Sequence, residues 1–251
     1  MKRLLLGALA ALTSLALPVR ANAQDFDDLA PARRSRDYVE SSQDLAVELR
    51  FGRYVPDADD GLSSTPYRDI FGTSNRYFGG FEINWQVLRI PLLGTLAPGF
   101  GIGYTKSSAK APFELQPGRS GQDTSLEILP MYLVGVLRAD VIARETVIPL
   151  VPYGKLGLGV ALWQISLGED TAEFEGDKGR GLSYGPQFQL GIMFLLDALD
   201  RDDARTADAN LGLNHSYLFA EWYVSDLDGF GASDRLQVGT NTWMAGIALE
   251  F

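Results

Sequence analysis

The residues best placed to do chemistry are five charged ones, Glu48, Arg50, Glu82, Lys155 and Glu221. Alternation puts each of them on the polar face of a segment whose other face is apolar. Charges enclosed in this way are costly unless they pair, and they mark either a conducting path or a structural network. Two roles follow. In one, Arg50 or Lys155 exchanges carboxylate partners and opens a narrow path. In the other, the five form a static ion-paired core that fills the interior and fixes register. The static core is favoured, because the charges must pair whether or not anything passes.

A second constellation surrounds the only histidine. His215 stands beside Ser216 and six residues before Glu221, the residue types of a Ser/His/acid hydrolase, here one acting on lipid. Alternation sends His215 inward and Ser216 outward, so the two do not share a site, and His215 has no visible orienting partner. No catalytic residue is therefore expected. A third constellation, Asp57-Ala58-Asp59-Asp60-Gly61, offers the carboxylates of Asp57, Asp59 and Asp60 to a hard cation such as Ca²⁺ or Mg²⁺ bridging to lipopolysaccharide phosphates. A solvated acidic surface explains them equally well, and the EF-hand spacing is incomplete. No other metal-ligand spacing, phosphate loop or nucleophile elbow occurs, and no cofactor is expected.

The elements that must position these residues are strands. From Leu45 onward apolar residues recur at every second position, with Leu45, Val47, Leu49 and Phe51 set against Ala46, Glu48, Arg50 and Gly52. The pattern returns around 80–87, 96–105, 155–162, 187–194, 217–224 and 243–251. The run 125–138 is less clear, because Leu129, Met131 and Leu133 make both faces apolar. Eight strands is an even count, which brings both ends of the strand region to one side. Long polar connections at 56–75, 108–124, 167–182 and 227–236 alternate with shorter ones near 89–95 and 139–147. The long ones carry fourteen acids against six bases, about −8, and have room for two further short strands. The connection 198–211 reads as a short surface helix around Asp200–Arg205. Trp85, Tyr104, Trp163, Trp222, Tyr223 and Trp243 suit an interfacial aromatic girdle.

The N-terminus has Lys2 and Arg3, an apolar run from Leu4 to Leu17 and a small-x-small motif ending at Ala23, which predicts a signal peptide cleaved after residue 23. Residues 24–42 read as a flexible periplasmic arm. Cleavage would lower 22 basic side chains to 19 against 32 acidic ones, a net of −13, which excludes a nucleic-acid partner. There is no cysteine, so stability must come from hydrogen-bonded ladders and burial. No segment past the N-terminus is long and apolar enough for a membrane-spanning helix, so a membrane form must be a closed barrel.

A soluble sandwich would also show period two, but its solvent face would carry Lys and Glu freely. Here the face opposite the apolar one holds chiefly Gly, Ala, Gln and isolated charges, which suits a cramped lumen. The expected fold is an all-β, antiparallel up-and-down transmembrane β-barrel of eight strands over 43–251. An eight-stranded barrel has room for side chains or one small ligand, not for an aqueous channel.

The terminal run Trp243-Met244-Ala245-Gly246-Ile247-Ala248-Leu249-Glu250-Phe251 resembles the last strand of outer-membrane barrels, by which the barrel-assembly machinery recognises them. Ile148-Pro149-Leu150-Val151-Pro152-Tyr153 with Gly157-Leu158-Gly159 resembles a strand of OmpA-like and OmpW-like small barrels. Asn214–Glu221 with Asp228-Gly229-Phe230-Gly231 resembles uncharacterised myxobacterial outer-membrane barrels. These resemblances imply a bacterial outer-membrane location among lipid and lipopolysaccharide. The expected role is a non-enzymatic integral barrel displaying acidic loops, in surface interaction or envelope integrity. The alternatives are a narrow-lumen transporter of small apolar solutes and, less favoured, a lipid-modifying enzyme.

Overall fold

A computed structural model describes residues 44–72, 76–112, 118–146, 148–168, 170–174, 176–198, 211–232 and 235–251. The expected signal peptide, the arm 24–42 and the helix around Asp200–Arg205 lie outside these residues.

Eight antiparallel strands close into a barrel. They are β1 (Leu45–Arg53), β2 (Tyr77–Trp85), β4 (Gly94–Pro112), β5 (Arg119–Arg138), β6 (Leu150–Leu167), β10 (Arg180–Leu195), β11 (His215–Ser225) and β12 (Thr240–Glu250). Each pairs with its neighbour in the chain, and β12 returns to β1 with Leu49 opposite Ile247. The seam is finished by Phe251, whose N–H donates to the Leu45 carbonyl at 2.8 Å while its own carbonyl accepts from the N–H groups of Asp44 and Leu45. Full closure leaves the barrel wall without an unpaired edge. Four minor strands complete the sheet structure: β3 (Leu88–Ile90) pairs with β4, β7 (Asp170–Thr171) with β6, and β8 (Glu173–Phe174) with β9 (Asp177–Lys178).

Alternation works as the sequence predicts. On β1, Glu48 and Arg50 are fully buried while Leu49 and Phe51 face out; on β6, Lys155 is buried while Leu156 and Leu158 face out. The ambiguous run is strand β5, and its two apolar faces have different neighbours. Leu133 is exposed outside, whereas Ile128, Tyr132, Val134 and Val136 pack inside. The outer face of the barrel is thus a continuous apolar band formed by side chains such as Phe100, Leu133, Leu158, Leu190 and Ile247.

One expectation needs correction. The segment 108–124 is chiefly ladder rather than loop, since β4 and β5 stay paired up to Pro112 and Arg119, with a bulge after Lys110. The strands β4, β5, β6 and β10 run 19, 20, 18 and 16 residues, against 9 to 11 for the other four. About ten residues suffice to cross a bilayer, so one side of the barrel continues as a tall wall on the side away from the termini. Its ladder is rich in Ser, Thr and Lys, and inward apolar residues such as Ala109, Leu126 and Ile165 are too few to alternate along any one strand, which is why period-two reading missed it.

The mouth under this wall is filled by chain that folds inward. Tyr54, Leu227 and Val238 are buried, the Tyr54 hydroxyl donates to the Val238 carbonyl at 2.6 Å, and a short helix, Pro66–Phe71, sets Tyr67 against Ser107 of β4 at 2.8 Å.

Candidate functional site

The five nominated charges meet in one place. Parity sends Glu48 and Arg50 of β1 inward, and the register sets Glu48 opposite Glu82 and Arg50 opposite Gly80 on one side and Gly246 on the other. Gly246 makes room for the Phe219 ring, while Gly80 leaves room for the long Arg50 side chain to lie against the wall, since a methyl group there would sit 3.0 Å from its Cγ. Its guanidinium reaches Glu48 at 2.7 Å, Glu82 at 2.6 Å and Glu221 at 3.0 Å, and donates to the Gln189 side-chain oxygen at 3.0 Å. Lys155 enters from the opposite wall, for β6 lies four barrel strands from β1 in either direction. Its Nζ is 2.6 Å from Glu48 and 2.6 Å from Glu82, so it ties the walls together across the diameter.

Two charges that the sequence did not nominate, Arg138 and Glu250, join the network. Arg138, at the end of β5, bridges Glu48 at 2.8 Å and Glu250 at 2.6 Å. Tyrosine hydroxyls complete the carboxylates: Tyr132 donates to Glu82, Tyr153 to Glu221 and Tyr217 to Glu250. Asn84 donates to Glu48 and Gln86 to Glu250. Four carboxylates thus share three cations in a space without bulk water, an arrangement that gains from every pair and loses heavily when one partner is removed.

On the neighbouring wall Gln187 Nε2, Gln189 Nε2, Tyr223 Oη and Ser225 Oγ, all buried on β10 and β11, have no aligned hydrogen-bond partner among the described residues, and the same holds for Arg50 Nε, Asn84 Oδ1 and Arg138 Nε within the network. Tyr223 lies beside Gln187 and Tyr54 beside Ser225 without good alignment. Groups of this kind call for internal water. Above them, an aromatic layer closes the lumen, with Tyr54 and Phe78 rings 5.6 Å apart, Phe78 and Tyr223 6.1 Å, and Tyr132 and Tyr223 6.2 Å. Tyr223, expected in the aromatic girdle, belongs to this layer, and Trp163 is half-buried with its indole N–H on Ser183. Both were misplaced because position along a strand was weighed before parity. Trp85, Trp222 and Trp243 do face outward.

His215 does have a partner, Asp197, in the single turn of 3₁₀ helix that follows β10. One Asp197 oxygen lies 2.7 Å from His215 Nδ1; the other accepts from the Ser216 backbone N–H at 3.1 Å and its hydroxyl at 3.0 Å. The carboxylate therefore stands between Ser and His, whereas nucleophilic catalysis needs the imidazole to contact the hydroxyl. Burial opposes ionisation of Asp197, but the hydrogen bonds from His215 and Ser216 outweigh it and hold its carboxyl below the usual range. The triplet is a staple at the terminal end of the barrel.

The proposed cation set is not assembled. Both oxygens of Asp59 accept backbone N–H groups, from Tyr67 at 2.7 Å and Arg68 at 3.0 Å, which fixes the start of the short helix. Asp57 turns toward the mouth, where burial and then the nearby Asp60 and Asp226 carboxylates push it up to about 6. Among the described residues no three His, Cys, Asp or Glu side chains are grouped to hold a metal ion. Asp57, Asp59 and Asp60 instead line a cleft of about 280 Å³ with Arg53, Tyr67 and Arg68.

No family model and no curated protein matches the chain. Among solved structures it is similar to Ail, the attachment invasion locus protein of Yersinia pestis, crystallised with the heparin analogue sucrose octasulfate, at 14% identity and a TM-score of 0.43 over 85% of this chain and 100% of that one. It is similar to the outer membrane protein OprG of Pseudomonas aeruginosa at 14% identity and 0.43 over 84% and 97%. Neisserial surface protein A follows at 12% identity and 0.38 over 82% and 96%. These likenesses carry no residue-level correspondence and no ligand to this chain.

Proposed function

We propose that the protein is an integral barrel of the bacterial outer membrane, exported by its N-terminal signal, without enzymatic activity, and that its working surface is the acidic rim opposite the termini. The observation that carries this reading is an apolar outer band around a filled interior. Side chains that a soluble protein would bury stand exposed around the barrel, far beyond the patch a soluble monomer tolerates. The band has a polar upper border: Lys106, Glu127, Gln164 and Arg180 are successive register neighbours on β4, β5, β6 and β10, with Lys106 and Glu127 ion-paired at 2.8 Å. That border suits the headgroup level of an outer leaflet, where lipopolysaccharide is the partner. The terminal strand ending at Phe251 is the segment the assembly machinery would read.

The network and the aromatic layer weigh against passage of solutes, so the reading favours surface interaction or envelope integrity over transport. The test is refolding into detergent and then planar bilayers. The chain should migrate anomalously on gels until heated and should give no conductance steps, with Lys155→Ala equally silent. Steady conductance in the unaltered protein would reverse the order of the two readings.

A further inference from the structure

The terminal end of the barrel carries a hairpin for which the lumen and the wall have no use. Beyond Trp85, which pairs with Leu45 at the start of β1, the chain continues as β3, and β3 pairs only with β4 among the described residues, with Leu88 opposite Leu96 and Ile90 opposite Gly94. The hairpin therefore overhangs the rim. Its side chains are apolar and bare: Val87, Leu88 and Leu93 are exposed, and Leu92 at the tip is 84% exposed. The tip is also strained. The Leu93 N–H donates to the Ile90 carbonyl, Pro91 occupies the second turn position, and Leu92 the third with φ of 65°, a place that ordinarily takes Gly or Asn. In water a leucine there is doubly unfavourable, in backbone conformation and in exposed surface.

We infer that this hairpin, residues 87–93, is a foot seated in the headgroup region of the periplasmic leaflet, with phospholipid as the group that covers it. The inference rests on the membrane reading above and extends it. Three observations converge on lipid. The apolar surface of the foot is continuous with the outer band through Trp85, an aromatic of the interfacial kind. Arg89, exposed in the middle of β3, carries a charge that the hydrocarbon core excludes and the headgroup region admits. The second edge of β3, which has no ladder partner among the described residues, likewise excludes the hydrocarbon core, where unpaired backbone groups are not tolerated, and permits the wetter interface. Depth is thus bounded from both sides, by Leu92 from the water and by Arg89 and the edge from the core.

The absence of cysteine makes the test direct. Single variants Leu92→Cys and Leu88→Cys are spin-labelled in phospholipid vesicles beside Leu158→Cys in the middle of the band and Leu62→Cys in an outer loop, with folding checked by heat-modifiable migration. Accessibility to oxygen over a water-soluble nickel complex should shift at Leu92 and Leu88 away from the value at Leu62 and toward that at Leu158, stopping short of it. Leu92 and Leu88 as open to nickel as Leu62, with Leu158 in lipid, overturns the foot, leaves the barrel reading intact and makes the hairpin a surface for a soluble partner. Leu158 open to nickel overturns the membrane reading itself.

Discussion

Replacing Arg50 by Met keeps much of the side-chain volume and removes one charge from the centre of the lumen. Arg50 is fully buried and pairs with Glu48, Glu82 and Glu221 at 2.7, 2.6 and 3.0 Å. Four carboxylates would then face Lys155 and Arg138 alone, raising the excess of acid from one to two. Each charge-assisted hydrogen bond contributes about 1.5–3 kcal/mol, but desolvation of the guanidinium is also relieved, so the net loss falls near the 3–5 kcal/mol typical of a broken buried pair. That is a large part of the ~5–15 kcal/mol that holds a typical domain. Adding Glu221→Gln restores the original excess of one acid. The double variant should therefore recover part of the loss, with a coupling of about 1–3 kcal/mol in a double-mutant cycle. Urea unfolding in vesicles, followed by tryptophan fluorescence, supplies the numbers. A loss below about 1 kcal/mol for Arg50→Met, or strict additivity with Glu221→Gln, would refute an interior dominated by ion pairing.

Four further outcomes are expected. Asp57, raised by burial, Asp60 and Asp226 to about 6 from the ordinary aspartate value of 3.8, holds its proton more tightly folded than unfolded. Its contribution therefore favours the folded outer segment below pH 4 and is lost as pH rises through 6; Asp57→Asn should abolish this pH dependence of proteolytic protection in residues 54–72. Asp197 has the opposite sign, since its carboxyl is held down, so the staple is present at neutral pH and lost as pH falls below about 4. Asp197→Ala should increase hydrogen exchange at Ser216 at pH 7 and remove the difference in acid. Gly101→Ala would drive a methyl group into the Tyr132 ring, displacing its hydroxyl from Glu82, and should cost about 1–3 kcal/mol in the same urea assay. Gly121→Ala, with nothing within 4 Å, should leave stability unchanged.

The barrel was legible because the apolar outer face and the polar lumen impose opposite demands on adjacent residues, and all five nominated charges were found by parity alone. Parity fails where one of those demands lapses. In the tall wall the outer apolar stripe lapses, so Ser108–Lys110 and Asp123–Thr124 show no alternation and read as loop. On β5 both faces are apolar, which hid the inward Arg138 behind Val134 and Val136. The buried plug residue Leu227 stands singly between two aspartates, Leu236 and Val238 make an alternation too short to read as a strand, and Asp197 lies two residues past the end of β10. Partners were harder to see than faces. Arg138 and Glu250 are separated by 112 positions, and Lys155 meets Glu48 only because the registers of four successive strand pairs, on either side of the barrel, bring them to the same height. Each register is fixed by turns and packing several strands away, so local spacing determines which residues enter the lumen, and the closure of the whole barrel determines which of them pair there.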